Sequence, residues 1–174
     1  MYHMGMGIER TSEGTPLVMQ GATESIGFML SKVGTAVSAR FAEILSKFDL
    51  VPRQFFVLNL ICQHQGESQQ AIAGSIGVAK SQMVSVVDEL EAKGFIERRA
   101  NPDDRRQHAL FVTESGKAMQ EEAIDAARNH EGTLRSVLSK AEAETLLGAL
   151  HKLASIDGTP LGVHGSIAEK FKDD

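Results

Sequence analysis

The chain is short of the features that mark secreted, membrane or metal-bound proteins. It holds a single cysteine, Cys62, in 174 residues, so no internal disulfide can form, which fits a reducing cytoplasm. Tryptophan is absent, a fact that carries no functional message. No apolar run reaches the length of a membrane span, and no signal-peptide pattern precedes the expected fold. The six histidines, at positions 3, 64, 108, 130, 151 and 164, make no close ligand pair and do not cluster with the cysteine. A structural zinc site is therefore not expected, although His130 and His151 are left to meet across packed helices. There is no phosphate-binding loop, no His-Glu-x-x-His, no nucleophile elbow and no internal repeat. No enzyme, no cofactor and no metal is expected. An overall excess of positive charge is lacking too: 18 Lys and Arg stand against 23 Asp and Glu, a net charge of −5. That argues mildly against a nucleic-acid binder, but groove binding depends on local distribution more than on the total.

What is present is an ordinary globular composition, 42% hydrophobic and 24% charged, of a length that suits one domain with a real core. Against its acidic background, residues 94–116 stand out. Two β-prone runs, residues 95–99 and 107–113, flank a polar turn that opens with Asn101 and Pro102. Pro102 presets its own φ for a turn and pushes Asn101 out of the helical region. A β-hairpin results, with Arg98, Arg99, Arg105 and Arg106 around its tip. A phosphate backbone or a minor groove supplies the need for four guanidiniums on one hairpin. Arg98 and Arg99 have a blander alternative, pairing with Glu97 and Asp103.

The segment ahead of the hairpin, residues 68–91, reads as helix, tight turn, helix. Ala71, Ile72 and Ile76 are expected on the inner face of the first helix, and Gly77 supplies the turn. Ser81, or Ala79 and Lys80 just before it, starts the second helix. There Met83, Val87 and Leu90 repeat as one buried stripe and leave Gln82, Ser85 and Glu89 on the wetted face. Short polar side chains at the exposed start of a second helix suit a recognition helix in a major groove. The alternative is a solvated surface.

Helix-turn-helix followed directly by a basic hairpin makes a winged helix, and here the sequence resembles the MarR family of regulators over roughly residues 22–156. The family's Leu-Gly-Val-Ser-Arg-Ser-Thr-Val is matched by Ile76, Gly77, Val78, Ala79, Lys80, Ser81, Gln82 and Met83. Its Leu-Glu-x-x-Gly-Leu-Val is matched from Leu90 and Glu91 through Gly94, Phe95 and Ile96. Its wing, Asp-x-Arg with a Leu-Thr-x-x-Gly close, is matched by Asp104, Arg105 and Arg106 and by Val112, Thr113 and Gly116. The resemblance implies that Arg106 is the wing-tip minor-groove probe and that Asp104 orients it. Where many members carry Arg, this chain has Ser85, so Gln82, a candidate adenine reader, and Lys80 carry more of the contact. The family's peroxide sensors hold a reactive cysteine near the N-terminus. None lies there, and Cys62 is expected as a small hydrophobe.

The rest of the chain reads as outer helices. Ile26, Leu30, Val33, Val37, Phe41, Ile44 and Phe48 recur at steps of three and four, predicting a helix over residues 22–47. A helix apolar on most sides follows Pro52, which suits a first helical turn. Thr113 is an expected N-cap for a helix through about Leu138, striped by Met119, Ala123, Ala127, His130, Leu134 and Leu138. Ser139, Lys140, Ala141 and Glu142 form a capping-box pattern for a last helix with Leu146, Leu147, Leu150 and Leu153 on one side. These outer stripes exceed what one small domain covers, which points to a two-fold dimer with interleaved terminal helices.

The expectation is a mainly α fold with a small β-hairpin wing: a winged helix-turn-helix with N- and C-terminal dimerisation helices. Residues 1–21 are a flexible arm, 22–156 the MarR-type domain and 157–174 a tail, with the DNA-binding lobe at 49–116. Residues 22–48 and 117–156 supply the dimerisation helices. The expected function is a cytoplasmic DNA-binding transcriptional regulator, a ligand-responsive repressor on a pseudo-palindromic double-stranded operator. Lys80, Ser81, Gln82, Ser85, Arg98, Arg99, Arg105 and Arg106 are the expected DNA contacts. The resemblance also implies a small phenolic or amphipathic effector, for which Phe28, Phe55, Phe56 and Cys62 are apolar enough to form a wall, although each equally suits plain core. No membrane partner is expected. The alternative is a winged-helix module that binds a protein.

Overall fold

The computed structural model describes residues 21–76, 80–100 and 108–156. The arm before residue 21, the turn glycine Gly77, the hairpin tip at 101–107 and the tail at 157–174 lie outside them. A 3-10 turn at Ala22–Glu24 leads into α1 (Ile26–Ser46). Then come α2 (Pro52–Gln63), α3 (Gln69–Ile76), α4 (Lys80–Ala92), β1 (Ile96–Ala100), β2 (His108–Val112), α5 (Glu114–Ser136) and α6 (Lys140–Ala154). The chain divides into two compact units, Met1–Arg40 and Phe41–Asp174. Among the described residues of the first, Ile26, Phe28, Met29, Leu30 and Val33 are all exposed.

Local chemistry sets the element ends. Helix α2 opens with Pro52 at its first position, and the Gln54 side chain accepts from the Val51 N–H at 3.1 Å. Ser68 caps α3 by accepting from Ala71 N at 3.1 Å. Gly94, at φ +72°, ends α4 in a Schellman motif: its N–H reaches Glu91 O at 2.8 Å and Phe95 N reaches Leu90 O at 3.0 Å. Asp49, at φ +53°, closes α1 the same way, with Leu50 N on Leu45 O at 3.1 Å. Ser139 and Glu142 form the expected reciprocal capping box of α6, at 2.8 and 3.3 Å.

The two strands pair antiparallel with Arg98 opposite Leu110 and Ile96 opposite Val112. The chain just before α3 adds a short third rung. Gly66 N donates to Leu110 O at 2.8 Å, Leu110 N donates to Glu67 O at 3.0 Å, and Ser68 bridges to Ala109. The Thr-x-x-Gly close has a steric reason. Thr113 N donates to Phe95 O, its hydroxyl caps Gly116 N at 3.0 Å, and a Cβ on Gly116 would lie 1.9 Å from the Phe95 carbonyl oxygen.

One core holds the second unit together. Leu45, Leu50, Leu58, Ile61, Met83, Val87, Leu90, Ile96 and Leu110 are completely or almost completely buried in it, with Ala123 reaching in from α5. Helix α2 packs against α4 and α5, and α3 packs against α4 and β2. The reading of α2 as a sandwiched helix holds, with Phe55, Val57, Leu58 and Ile61 buried. The inner face of α3 differs by one position: Ile72 and Ala73 are buried, Ala71 is exposed and Ile76 is half-buried.

Candidate nucleic-acid interface

Helix α4 is the second helix of the helix-turn-helix, and its two faces differ sharply. Met83, Val86, Val87 and Leu90 are buried, so the expected stripe gains Val86. Lys80, Ser81, Val84, Ser85 and Asp88 are exposed. Gln82, expected on the wetted face, is half-buried, and its Oε1 is enclosed without a hydrogen-bond partner among the described residues. A bidentate reading of adenine needs both ends of that amide, so the side chain must swing outward to make it.

Glu89, also expected in water, is instead the centre of a polar network. Its carboxylate accepts from Arg53 Nη2 at 3.0 and 2.9 Å, from Gln54 Nε2 at 2.6 Å and from the Ser85 hydroxyl at 3.1 Å. Gln54 is buried, and its Oε1 accepts from Val51 N and from Lys93 Nζ, each at 3.1 Å. Lys93 also reaches the Asp49 carboxylate at 3.3 Å and its carbonyl oxygen. Burial alone raises the Glu89 pKa. Hydrogen bonds from Arg53 and Gln54, the Arg53 charge and the Ser85 hydroxyl outweigh it, and the group sits below its ordinary value. The start of α2 is thereby bolted to the C-terminal half of α4.

The wing root is built from charge pairs as well. Arg98 on β1 binds Asp88 and Glu91 of α4 through its guanidinium, and its N–H donates to Glu91 Oε1 at 3.2 Å. Gln69 Oε1 accepts from the same guanidinium at 3.4 Å. Arg99, exposed, pairs with Glu97 as one expectation allowed, and its guanidinium carbon lies 4.4 Å from the centre of the Phe111 ring. Beside them a cleft of about 170 Å³ is lined by Ser68, Gln69, Gln70, Lys80, Arg98 and His108. Asp104, Arg105 and Arg106 lie outside the described residues.

The remaining sites of interest sit elsewhere. Cys62 is half-buried and free, and burial pushes its thiol pKa up despite the nearby Lys117 charge. A raised thiol is a poor nucleophile. Phe55 is core, while Phe56 and Cys62 are half-buried. The Phe55 and Phe56 rings meet edge to face at 5.5 Å, and Phe41 stacks on His130 at 6.2 Å. Phe28 is exposed on α1. Among the described residues no three His, Cys, Asp or Glu side chains are grouped to hold a metal, and no helix is long and apolar enough to cross a membrane. Sequence reasoning missed Arg53, Gln54 and Lys93. The only local hint was a glutamine two residues after Pro52, where a helix start accepts a reciprocal side-chain bond.

Comparison with known proteins agrees with this geometry. The model of the MarR family matches residues 50–108. A putative transcriptional regulatory protein for the hcr operon of Thauera aromatica is 32% identical over 154 residues, spanning 87% of this chain and 93% of that protein. The transcriptional repressor NicR of Pseudomonas putida is 27% identical over 78% of this chain and 85% of its own length. Among solved structures, the transcriptional repressor CouR bound to a 23-mer DNA duplex superposes with a TM-score of 0.69 at 31% identity. It covers 80% of this chain and 99% of CouR. CouR from Rhodococcus jostii RHA1 bound to p-coumaroyl-CoA gives 0.63 at 30% identity, over 78% and 95% of the two chains. Helix-turn-helix, braced wing and near full-length similarity coincide, and the chain belongs to the MarR family of winged helix-turn-helix, DNA-binding transcriptional regulators.

Proposed function

We propose that this regulator is a cytoplasmic, homodimeric repressor that releases a pseudo-palindromic operator when a small effector binds. The observation that carries the DNA contact is the bare first half of α4, where Lys80, Ser81 and Ser85 are exposed on a helix whose other face is core. Two such helices would enter successive major grooves about 34 Å apart. Gln82 joins them when its amide turns outward, and Arg105 and Arg106 reach the flanking backbone and minor groove. Arg98 serves by bracing the wing on α4, and Arg99 is left to phosphate at the exposed edge. The dimer is supported by the apolar side chains that α1 and α6 leave in water, Ile26, Leu30 and Val33 on one and Leu146 and Leu147 on the other.

The effector reading leans on CouR, which binds an aromatic acyl-CoA. A phenolic or similarly amphipathic compound is proposed here, with half-buried Phe56 and Cys62 as wall residues. It works only by binding the non-operator geometry better than the operator geometry. The test is fluorescence anisotropy of the full chain on duplex DNA taken from upstream of its own coding sequence, titrated with salt. Tight binding with a steep log–log slope supports the reading. Binding no stronger than to random duplex, together with a monomer by light scattering at micromolar concentration, overturns it.

A further inference from the structure

One exposed side chain of the recognition helix is a serine with its proton already spoken for. A serine hydroxyl has one hydrogen to donate and two lone pairs to offer. The Ser85 hydroxyl lies 3.1 Å from Glu89 Oε1, one helical turn on. Which group donates is decided by the neighbours. Gln54 accepts through Oε1 from Val51 N and Lys93 Nζ, so its amide orientation is fixed and Nε2 must face Glu89, at 2.6 Å. Arg53 can only donate. Glu89 is thus surrounded by donors and remains an unprotonated carboxylate, consistent with its lowered pKa. The one proton between Ser85 and Glu89 belongs to the serine.

We propose that Ser85 is a specificity-determining residue of one polarity: held as an acceptor by Glu89, it selects a base whose major-groove edge carries an amino group. Those edges are adenine N6 and cytosine N4, whereas guanine O6 and thymine O4 offer only acceptors. Glu89 acts as a positioning residue, and Arg53 and Gln54 hold it from α2. A side chain that reads by donation would instead fit the acceptor edges of guanine or thymine. The inference rests on the DNA-binding reading above.

The test begins with selection of duplexes from a randomised 24-base-pair library by the wild-type full chain. The selection is repeated with Ser85→Ala, Ser85→Thr and Glu89→Gln. Ser85→Ala should flatten preference at one base pair per half-site, and Ser85→Thr, which keeps the hydroxyl, should retain it. At that base pair, the one base that carries a major-groove amino group is then replaced by an analogue lacking it, purine for adenine or 2-pyrimidinone for cytosine. Wild type should lose about fivefold or more in affinity, the scale of one hydrogen bond, and Ser85→Ala should lose nothing further. Glu89→Gln, whose amide can donate to Ser85 and free its proton, should depend less on the amino group. Should that variant not fold, the exposed Ser85 variants carry the test alone. Failure of wild type to enrich any duplex overturns the DNA-binding reading itself. A selected operator that Ser85→Ala reads identically, or an amino deletion that is silent in wild type, overturns this inference and leaves that reading standing.

Discussion

Helices α4 and α6 are alike in length, 13 and 15 residues, and both are amphipathic. Their fates differ. Helix α4 buries Met83, Val86, Val87 and Leu90 within its own chain, whereas α6 buries only Ala143 and leaves Leu146 46% and Leu147 40% exposed. Amphipathic spacing says that a helix needs an apolar partner. It does not say whether that partner is in the same chain. Helix α4 finds partners for its stripe at home, and α6 does not. Contiguous exposed apolar side chains on a folded domain mark an interaction surface.

The largest expected effect breaks that comparison from the α6 side. Leu146→Glu combined with Leu147→Glu removes four leucines from the proposed dimer face, two from each protomer, and each has less than half of its surface left to bury, so the loss is roughly 1 kcal/mol per leucine. Dimer dissociation should rise by about a thousandfold, with helicity by circular dichroism unchanged. Analytical ultracentrifugation checks the first and circular dichroism the second. Retention of a tight dimer would place the interface elsewhere, and loss of helicity would mean that α6 is needed by its own lobe.

The next effect tests the self-sufficiency of the lobe. Gly116→Ala drives a methyl group onto the Phe95 carbonyl, 1.9 Å from an ideal Cβ, and backbone on both sides leaves little to yield. A loss of about 3 kcal/mol in urea unfolding is expected, at the upper end of what overpacking costs. An unfolding midpoint like that of wild type would mean that the wing root shifts freely.

A smaller effect probes the bolt between α2 and α4. Glu89 has its pKa lowered in the folded state, so the stability it adds is present above the ordinary value of 4.5 and is lost as pH falls through the folded value. Glu89→Gln should therefore flatten the acid limb of the stability–pH curve and leave the limb above neutrality unchanged. Its loss at pH 7 should be about 1–2 kcal/mol, the worth of hydrogen bonds to a charged group only partly out of water. An acid limb identical to that of wild type would show that Glu89 contributes no pH-linked stability.

Much of this was legible because the signals are local. Thr113 and Ser139 sit within four residues of the groups they satisfy, so the starts of two helices followed from residue type and spacing. The strands begin and end within a residue or two of the β-prone runs. Partners far apart in sequence were not legible. Arg53 and Glu89 are 36 positions apart, and nothing local distinguishes Glu89 from any solvated acid on a wetted face. Arg98 was expected to face DNA or pair with neighbouring acids, and only the packing of β1 on α4 brings it to Asp88 and Glu91. The wing tip, where the resemblance places Arg106, lies outside the described residues.

The smallest effect uses one helix to compare two surroundings. Helix α5 carries Gly116 in its first turn and Gly132 in its last third. Gly116 is buried against Phe95, whereas an added Cβ at Gly132 meets nothing within 4 Å. A glycine inside a helix costs roughly 0.5–1 kcal/mol relative to alanine, through backbone freedom lost on folding. Where space is open, alanine should recover that amount. Gly132→Ala is therefore expected to stabilise by about 0.5–1 kcal/mol, opposite in sign to Gly116→Ala in the same helix. Urea unfolding at several protein concentrations measures it and also separates stability from association. A gain that is the same at all concentrations means that Gly132 faces water in the assembled protein. A loss that deepens as protein is concentrated would mean that a second chain packs there and needs the missing methyl, so the proposed interface would extend from α6 onto the end of α5.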